Sequence, residues 1–373
     1  KQYGTPVLVD VVNETGALPT RYWHRGEFDE YEKINAETMR SRFVVADRAC
    51  YSCVTPCGKI SVIREGGVTL EGPEYETLVS FGSLCENSNL ESILKANELC
   101  DKFGMDTMDA GNLIAFAMDC YEQGIITTKD TEGIELVWGN HEAIVQFVEK
   151  IAMRTGLGDI FAEGLVRAAK RIGKGAEKIA VHVKGMAPAG YDPRALRGMA
   201  LAYGIADRGA CHLPATYYIF ALRGVVDRLS IEGNAAFIAD LGMRHAASDT
   251  LILCRFSRDA IPWEDLPRFS SLLWGAETSV ADWKRLGERI ITLARSFSVR
   301  EGIHREDDVV PERLFKEPIS KAPALKKSEV NKMLDEYYEV MGWDKNGVPT
   351  KERLMELGLE DVAGEIEPLR RKN

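Results

Sequence analysis

One stretch decides the fold class: Leu113-Ile-Ala-Phe-Ala-Met-Asp-Cys-Tyr121, which is apolar on nearly every side of a helix. A helix that is apolar all round belongs in a protein interior. Gly124 follows as a natural helix stop. The stretch therefore predicts a buried central helix, and helical periodicity on both sides of it predicts a mainly all-α chain with two multihelical domains.

Outward from this helix, apolar residues recur with helical spacing from Ile93 to Phe103, before Gly104, and again from Ile144 to Ile151. Two β-rich runs flank Glu65-Gly66 and predict a small hairpin. Residues 179–183 are β-like as well. A further helix is expected from an N-cap at Asp159 to Gly173. Helices are also expected over 195–207, 215–226, 279–299, and 231–256 with a break at Leu241-Gly242. Two more are expected after caps at Ser328 and Thr350.

Charge and hydropathy limit the function classes. The 373-residue chain has a net charge of -10, which argues against nucleic acid as a partner because duplex binding depends on basic contacts to phosphates. It has no run of about 18 apolar residues, so the sequence predicts no membrane span.

Three cysteines lie within eight residues, Cys50-Tyr-Ser-Cys53-Val-Thr-Pro-Cys57. This spacing lets one loop turn three thiolates toward a common point, as an iron–sulfur cluster requires, with a fourth ligand from elsewhere in the chain. Zinc is the alternative metal, but zinc sites usually show a second short Cys or His pair, which is missing here. Clustered thiols outside a disulfide framework favour a reducing, cytoplasmic compartment.

The chain begins Lys1-Gln-Tyr-Gly, without an initiator Met. We therefore expect either a processed chain or a fragment of a longer protein.

Several segments together resemble the tungsten-containing aldehyde:ferredoxin oxidoreductases. They occur in order over residues 18 to 360, so the resemblance covers nearly the whole chain. It implies that the chain corresponds to the two C-terminal helical domains of that family, without the N-terminal saddle domain, and we therefore expect this fragment alone to be inactive. The segments include Leu18-Pro-Thr-Arg-Tyr-Trp23, the cysteine run, Gly72-Pro-Glu-Tyr-Glu-Thr77, Tyr191-Asp-Pro-Arg194, Arg208-Gly-Ala-Cys-His-Leu213 and Gly342-Trp-Asp-Lys-Asn-Gly-Val-Pro-Thr350.

The resemblance implies two cofactors, a [4Fe–4S] cluster and a tungsten (or molybdenum) ion held by two pterins. The implied cluster ligands are Cys50, Cys53, Cys57 and Cys254. A cluster with a ligand from a distant segment would couple its binding to folding.

Two segments resemble the family's paired pterin-binding motif. Carboxylates in this motif accept hydrogen bonds from the pterin edge, and a glycine lets the backbone approach the ring. Ile252 stands where the second motif has glycine, and Met105 stands where leucine is usual. The implied pterin contacts are Asp101, Gly104, Met105 and Asp106 in the first segment, Asp249, Leu253 and Arg255 in the second, and Arg208.

The implied catalytic residues are Glu76 as a base, His212 as a donor to the carbonyl oxygen, and Tyr75 as an added phenolic donor. The implied reaction oxidises an aldehyde to a carboxylic acid and passes electrons to ferredoxin. A homodimer is a possible assembly.

These motifs divide the chain into three predicted parts. Residues 1–45 form an irregular connector. Residues 46–180 form a helical domain with the cysteine cluster and the first pterin motif. Residues 181–373 form a second helical domain with His212 and the second motif.

Two other functions stay open from the sequence. Some members of the family reduce an aromatic ring held as a coenzyme A thioester, and the departures at Met105, Ile252, Pro214 and Ala187 leave room for that chemistry. Alternatively, the chain is a non-catalytic iron–sulfur module for electron transfer or assembly.

Overall fold

The computed structural model describes residues 2–258 and 260–370. Helices dominate it, and the predicted mainly all-α class is confirmed. Its contacts divide the chain into two compact units, of which the first contains residues 1–195 and 311–324 and the second contains 196–310 and 325–373. The domain boundaries predicted after residues 45 and 180 stay a prediction.

The first unit is built around the helix predicted as central. This helix, α5, runs from Thr107 to Glu122 and is buried along most of its length. It packs against α3 (Tyr75–Phe81), while α4 (Leu90–Phe103) packs against α6 (His141–Met153). The helices of this unit are α1 (Leu8–Glu14), α2 (Ala36–Arg42), α3 (Tyr75–Phe81), α4 (Leu90–Phe103), α5, α6 (His141–Met153), α7 (Leu157–Phe161), α8 (Leu165–Ile172) and α15 (Glu312–Lys316).

A close helix crossing brings α3 and α5 together. A Cβ atom on Gly111 of α5 would lie 2.5 Å from the Cβ atom of Ser80 on α3, so only glycine fits at this point. The crossing holds α3, whose first turn carries Tyr75 and Glu76, against α5.

A three-stranded antiparallel sheet lies beside these helices, with strands β1 (Val44–Arg48), β2 (Gly58–Ile63) and β3 (Val68–Glu71) in that order. The predicted hairpin around Glu65-Gly66 is confirmed by the pairing of β2 with β3, in which Val62 faces Thr69. Strand β1 is not evident from the sequence pattern. Its presence makes the cysteine run the connection between two paired strands.

The second unit is a bundle centred on α11 (Asn234–Asp249), which packs against α14 (Val280–Arg300) and α16 (Lys327–Met341). A capping box of Ser279 and Asp282 starts α14, and Thr350 caps α17 as predicted. The helices of this unit are α9 (Gly198–Ile205), α10 (Tyr217–Leu222), α11 (Asn234–Asp249), α12 (Arg255–Arg258), α13 (Leu266–Trp274), α14 (Val280–Arg300), α16 (Lys327–Met341), α17 (Lys351–Glu356) and α18 (Glu360–Arg370).

Some sequence predictions of elements are wrong. The helix predicted from Asp159 to Gly173 is two helices, because Gly164 turns the chain with a φ of 83°. The break predicted at Leu241-Gly242 is absent, since α11 is continuous there. The helix expected after a Ser328 cap begins at Lys327.

Two further predictions of local structure differ from the observed fold. Residues 1–45 are not wholly irregular, because α1 and α2 lie within them. In place of a strand over 179–183, Val183 pairs with Met186 in an isolated bridge.

Among residues 2–258 and 260–370, no helix combines the length and the apolarity that crossing a bilayer requires.

Candidate functional site

The three clustered cysteines lie in the loop between β1 and β2. Cys50 and Cys53 are exposed, and Cys57 is half-buried. Within the loop, the Cys53 N–H donates to the Cys50 carbonyl at 3.0 Å, and the Cys57 N–H donates to the Thr55 carbonyl at 2.9 Å. The loop therefore presents thiols at the surface of the first unit, where a soft metal could reach them.

The donor types suit an iron–sulfur cluster, since cysteine thiolates are its usual protein ligands. In the described part of the chain, no three His, Cys, Asp or Glu side chains are grouped so that they could hold a metal ion. Cys254, the predicted fourth ligand, is exposed and immediately precedes α12 in the second unit. The cluster ligands stay a prediction from thiol chemistry and spacing.

Glu76 lies in the first turn of α3, and its carboxylate is held by the backbone of a distant loop. Its Oε2 accepts a hydrogen bond of 2.8 Å from the Gly190 N–H. Its Oε1 is buried. Burial raises the Glu76 pKa to about 8. The hydrogen bond from Gly190 lowers this pKa, and the charge of Asp106 makes a smaller contribution that raises it. A carboxyl group with this pKa exchanges its proton near neutral pH.

Tyr75 is buried next to Glu76 and binds the same glycine. Its hydroxyl donates to the Gly190 carbonyl at 2.5 Å, and its ring stacks on Tyr191 with 5.2 Å between centroids. The predicted bond from Tyr75 to substrate would require this bond to break, because a phenol has one proton to donate.

The beginning of α5 lies close to this group. The Thr77 and Thr107 hydroxyls are 2.9 Å apart. Asp109 accepts from the Ala187 N–H at 3.4 Å, three residues before Gly190. Burial, followed by the charge of Asp106, raises the Asp109 pKa. The loop before Tyr191 thus contacts carboxylates from both α3 and α5.

The first predicted pterin segment spans the end of α4 and the start of α5. Asp101 accepts from the Asn97 side chain at 2.9 Å, and partial desolvation of its carboxyl raises its pKa. Gly104 ends α4 in the left-handed conformation, with φ of 65°, and open space surrounds the position of its missing Cβ. Met105 follows, and Asp106 caps α5 by accepting from the Asp109 N–H at 2.9 Å.

The second predicted segment has the same backbone plan at the end of α11. Asp249 is the last residue of that helix, and the Ile252 N–H donates to the Asp249 carbonyl at 2.9 Å. Ile252 adopts a φ of 56° and is 93% exposed. A β-branched residue rarely adopts this conformation. The backbone therefore retains the turn that glycine favours, although the sequence has Ile. Leu253 is half-buried.

Arg255 contacts both of the segments that carry the residues predicted in the second unit. It donates to the Asp249 carboxylate at 3.0 Å and to the Leu213 carbonyl at 2.9 Å, next to His212. Arg208 donates to the Cys211 sulfur at 2.9 Å.

His212 is electrically neutral at physiological pH. Burial, together with the charges of Arg208 and Arg255, lowers the His212 pKa to about 3. Its ring lies 5.5 Å from that of Tyr218. It can offer a neutral N–H as a hydrogen-bond donor, which suits its predicted role, whereas an unperturbed imidazole titrates near neutral pH.

A cavity of about 240 Å³ opens beside Asp249 and Arg255 within the second unit. Its walls are mainly apolar, with Ile205, Ile290 and Ile291 among the lining residues. His245 also lines it and lies 3.2 Å, through Nδ1, from the Pro214 carbonyl. Of the residues predicted in the second unit, Asp249 and Arg255 therefore border a space that can take a ligand.

Sequence reasoning missed Gly190 and Asp109. Gly190 directly precedes the Tyr191-Asp-Pro-Arg194 segment that carries part of the family resemblance, which was the available signal. Asp109 lies one helical turn after Asp106, but a carboxylate at that position is also typical of a helix first turn.

A family model described as "Aldehyde ferredoxin oxidoreductase, domains 2 & 3" matches residues 1–359. The chain belongs to the aldehyde ferredoxin oxidoreductase family. Family membership agrees with the resemblance that the sequence segments carry, and it assigns the chain to the second and third domains.

Curated relatives and a solved structure agree with this membership. The tungsten-containing aldehyde ferredoxin oxidoreductase of Pyrococcus abyssi is 34% identical over 371 residues, and that of Thermococcus kodakarensis is 32% identical over 369. Each alignment covers 96% of this chain and 60% of the relative, so the chain spans about 60% of their length. The fold matches the active-site complex BamBC of benzoyl coenzyme A reductase with 1,5-dienoyl-CoA at a TM-score of 0.79 and 22% identity, over 98% of this chain and 61% of that one.

Proposed function

We propose that this chain is the helical part of a cytoplasmic enzyme that oxidises an aldehyde to a carboxylic acid. The aldehyde gains the oxygen of one water and releases two protons and two electrons, and ferredoxin accepts the electrons one at a time. Membership of the family, and the names of its tungsten-containing relatives, support this redox chemistry.

The observation that carries the proposal is the Glu76 carboxyl group. It is oriented by the Gly190 N–H at 2.8 Å, and its pKa of about 8 suits proton exchange near neutral pH. In its ionised form Glu76 removes a proton from the attacking water. His212, neutral at this pH, donates a hydrogen bond to a carbonyl oxygen.

The residues present suit a pterin by their chemistry. Asp101 and Asp249 place carboxylates at two helix ends, each followed three residues later by a left-handed residue that exposes the backbone. A bound tungsten (or molybdenum) bis-pterin would supply the two-electron redox exchange. The proposed contacts are those predicted from the sequence: Asp101, Gly104, Met105, Asp106, Arg208, Asp249, Leu253 and Arg255.

A second candidate is reduction of an aromatic ring held as a coenzyme A thioester. The fold that this chain shares with the benzoyl coenzyme A reductase complex supports this second candidate. A third is an iron–sulfur module that docks on a partner without catalysis.

A substrate assay separates these candidates. The intact enzyme that contains this chain is isolated anaerobically with its cofactors and offered either aldehydes with an oxidised dye or aryl-coenzyme A thioesters with a strong reductant. We expect aldehyde-dependent dye reduction that rises with pH through about 8, since the ionised form of Glu76 is the active one. Turnover of the thioesters alone would select the second candidate, and turnover of neither would select the third.

Metal analysis supports the assay. We expect iron and sulfide in the wild-type protein and loss of most of both in Cys254→Ala, with zinc absent. Full iron content in Cys254→Ala would reject Cys254 as a ligand.

A further inference from the structure

The loop around Gly190 makes two contacts with consecutive residues of α3. The Gly190 N–H donates to the Glu76 carboxylate at 2.8 Å, and the Gly190 carbonyl accepts from the Tyr75 hydroxyl at 2.5 Å. Both contacts join residues more than a hundred positions apart in the sequence. A single glycine thus contacts the predicted base and its neighbour.

The contacts around Tyr75 keep that side chain in place. Its ring stacks on Tyr191, the residue after Gly190, at an interplanar angle of 28°. Its backbone N–H donates to the Thr5 hydroxyl at 2.9 Å. Tyr75 is therefore held from the backbone, the ring face and the hydroxyl.

The space at Gly190 allows no side chain without movement. A Cβ atom there would lie 3.0 Å from both Cγ atoms of Val79, one helical turn after Tyr75 on α3. This separation is tighter than ordinary van der Waals contact, so a methyl group would push the loop and the helix apart. The absence of a side chain is what lets the Gly190 backbone reach Glu76.

We propose that Gly190 is the positioning residue of the acid–base group, and that Tyr75 fixes Gly190 instead of contacting the substrate. Gly190 acts through Glu76, since it binds that carboxylate by its backbone. We call the two hydrogen bonds that join Gly190 to Glu76 and to Tyr75 the clamp. Its consequence for catalysis rests on the proposed function of Glu76, whereas the two hydrogen bonds themselves do not.

The clamp has a measurable electrostatic effect. The Gly190 N–H stabilises the ionised carboxylate, while burial and the charge of Asp106, the N-cap of α5, oppose ionisation. Ala187 to Tyr191 contain no charged side chain, so the loop acts through its amide. Weakening the clamp therefore raises the Glu76 pKa above its wild-type value.

The test titrates Glu76 in the 373-residue chain by infrared spectroscopy. The protonated-carboxyl band of each variant is isolated by subtracting the spectrum of the same variant with Glu76→Gln. We expect Gly190→Ala to raise the Glu76 pKa by about one unit. Tyr75→Phe, which keeps the stacked ring and removes the hydroxyl, should raise it by less.

A matched double variant separates displacement from misfolding. In Gly190→Ala/Val79→Ala the two Cγ atoms are removed, so the pKa should return part of the way to wild type. Val79→Ala alone is the control and should leave the titration unchanged. Titration of Glu76 at the wild-type pH in both Gly190→Ala and Tyr75→Phe would overturn the clamp.

Activity of the protein loaded with its cofactors tests the catalytic consequence. If Glu76 is the base, the pH–rate profile of Gly190→Ala moves upward with the infrared titration, and turnover at pH 7 falls about tenfold. An infrared shift without a shift in the rate profile would leave the clamp standing and reject Glu76 as the base.

Discussion

Replacing Asp192 by Asn should destabilise the first unit strongly, because Asp192 neutralises a buried arginine. Both side chains of the Asp192–Arg194 pair are 0% exposed. Arg194 Nε lies 3.0 Å from Asp192 Oδ1, and Nη2 lies 2.6 Å from Oδ2. The Arg194 guanidinium also donates to two neutral backbone carbonyls, that of Trp23 at 2.5 Å and that of Glu317 at 2.9 Å. Asp192 is therefore the compensating charge in direct contact with the guanidinium.

The size of the effect follows from the charge left behind. Asn has the shape of Asp but no negative charge, and its amide N–H₂ would face guanidinium donors. Removing one partner of a buried ion pair costs about 3–5 kcal/mol. This corresponds to roughly two to three and a half powers of ten in the unfolding equilibrium of the first unit.

Native-state hydrogen exchange is the suitable assay, because a chain with two units need not unfold in a single transition. The control is Asp29→Asn, which removes an exposed partner of Arg25 at 3.4 Å and should cost less than about 1 kcal/mol. The double variant Asp192→Asn/Arg194→Met should recover part of the loss, since no buried charge remains. A cost for Asp192→Asn no larger than that of the control would refute the reasoning.

Two further predictions follow from other sites. His24 lies between Asp119 and Glu317, and its hydrogen bonds to these carboxylates raise its pKa. Because its folded pKa is the higher one, its contribution to stability is complete below the ordinary value of about 6.5 and is lost as pH rises through the folded pKa. His24→Gln should remove this slope from hydrogen exchange measured at increasing pH; an unchanged slope would exclude His24 as its source. At Ile252, Ile252→Gly should stabilise the turn after α11 by up to about 1 kcal/mol, since the left-handed conformation costs other residues about 1–2 kcal/mol. Ile252→Ala keeps the Cβ atom and serves as the control, and a net loss of protection in Ile252→Gly would contradict the argument.

Local patterns were sufficient for much of the helical architecture. The end of α4 at Gly104 and the burial of α5 follow from residues within a few positions of each other, because helix periodicity and caps are local properties. The continuity of α11 through Gly242 does not follow from such local patterns. Packing against α14 and α16 outweighs the low helix propensity of glycine there. Strand β1 likewise depends on its pairing with β2, which the sequence pattern alone does not reveal.

The sequence by itself determined the mainly helical class, the family, and the types of side chain available for chemistry. Only the tertiary structure decided how deeply those side chains are buried and which charges lie near them. The pKa of Glu76 depends on burial and on Gly190, 114 positions away, and the pKa of His212 depends on burial next to two arginines. Proton affinity is set by desolvation and by neighbouring charges, which are properties of packing in space and not of order along the chain.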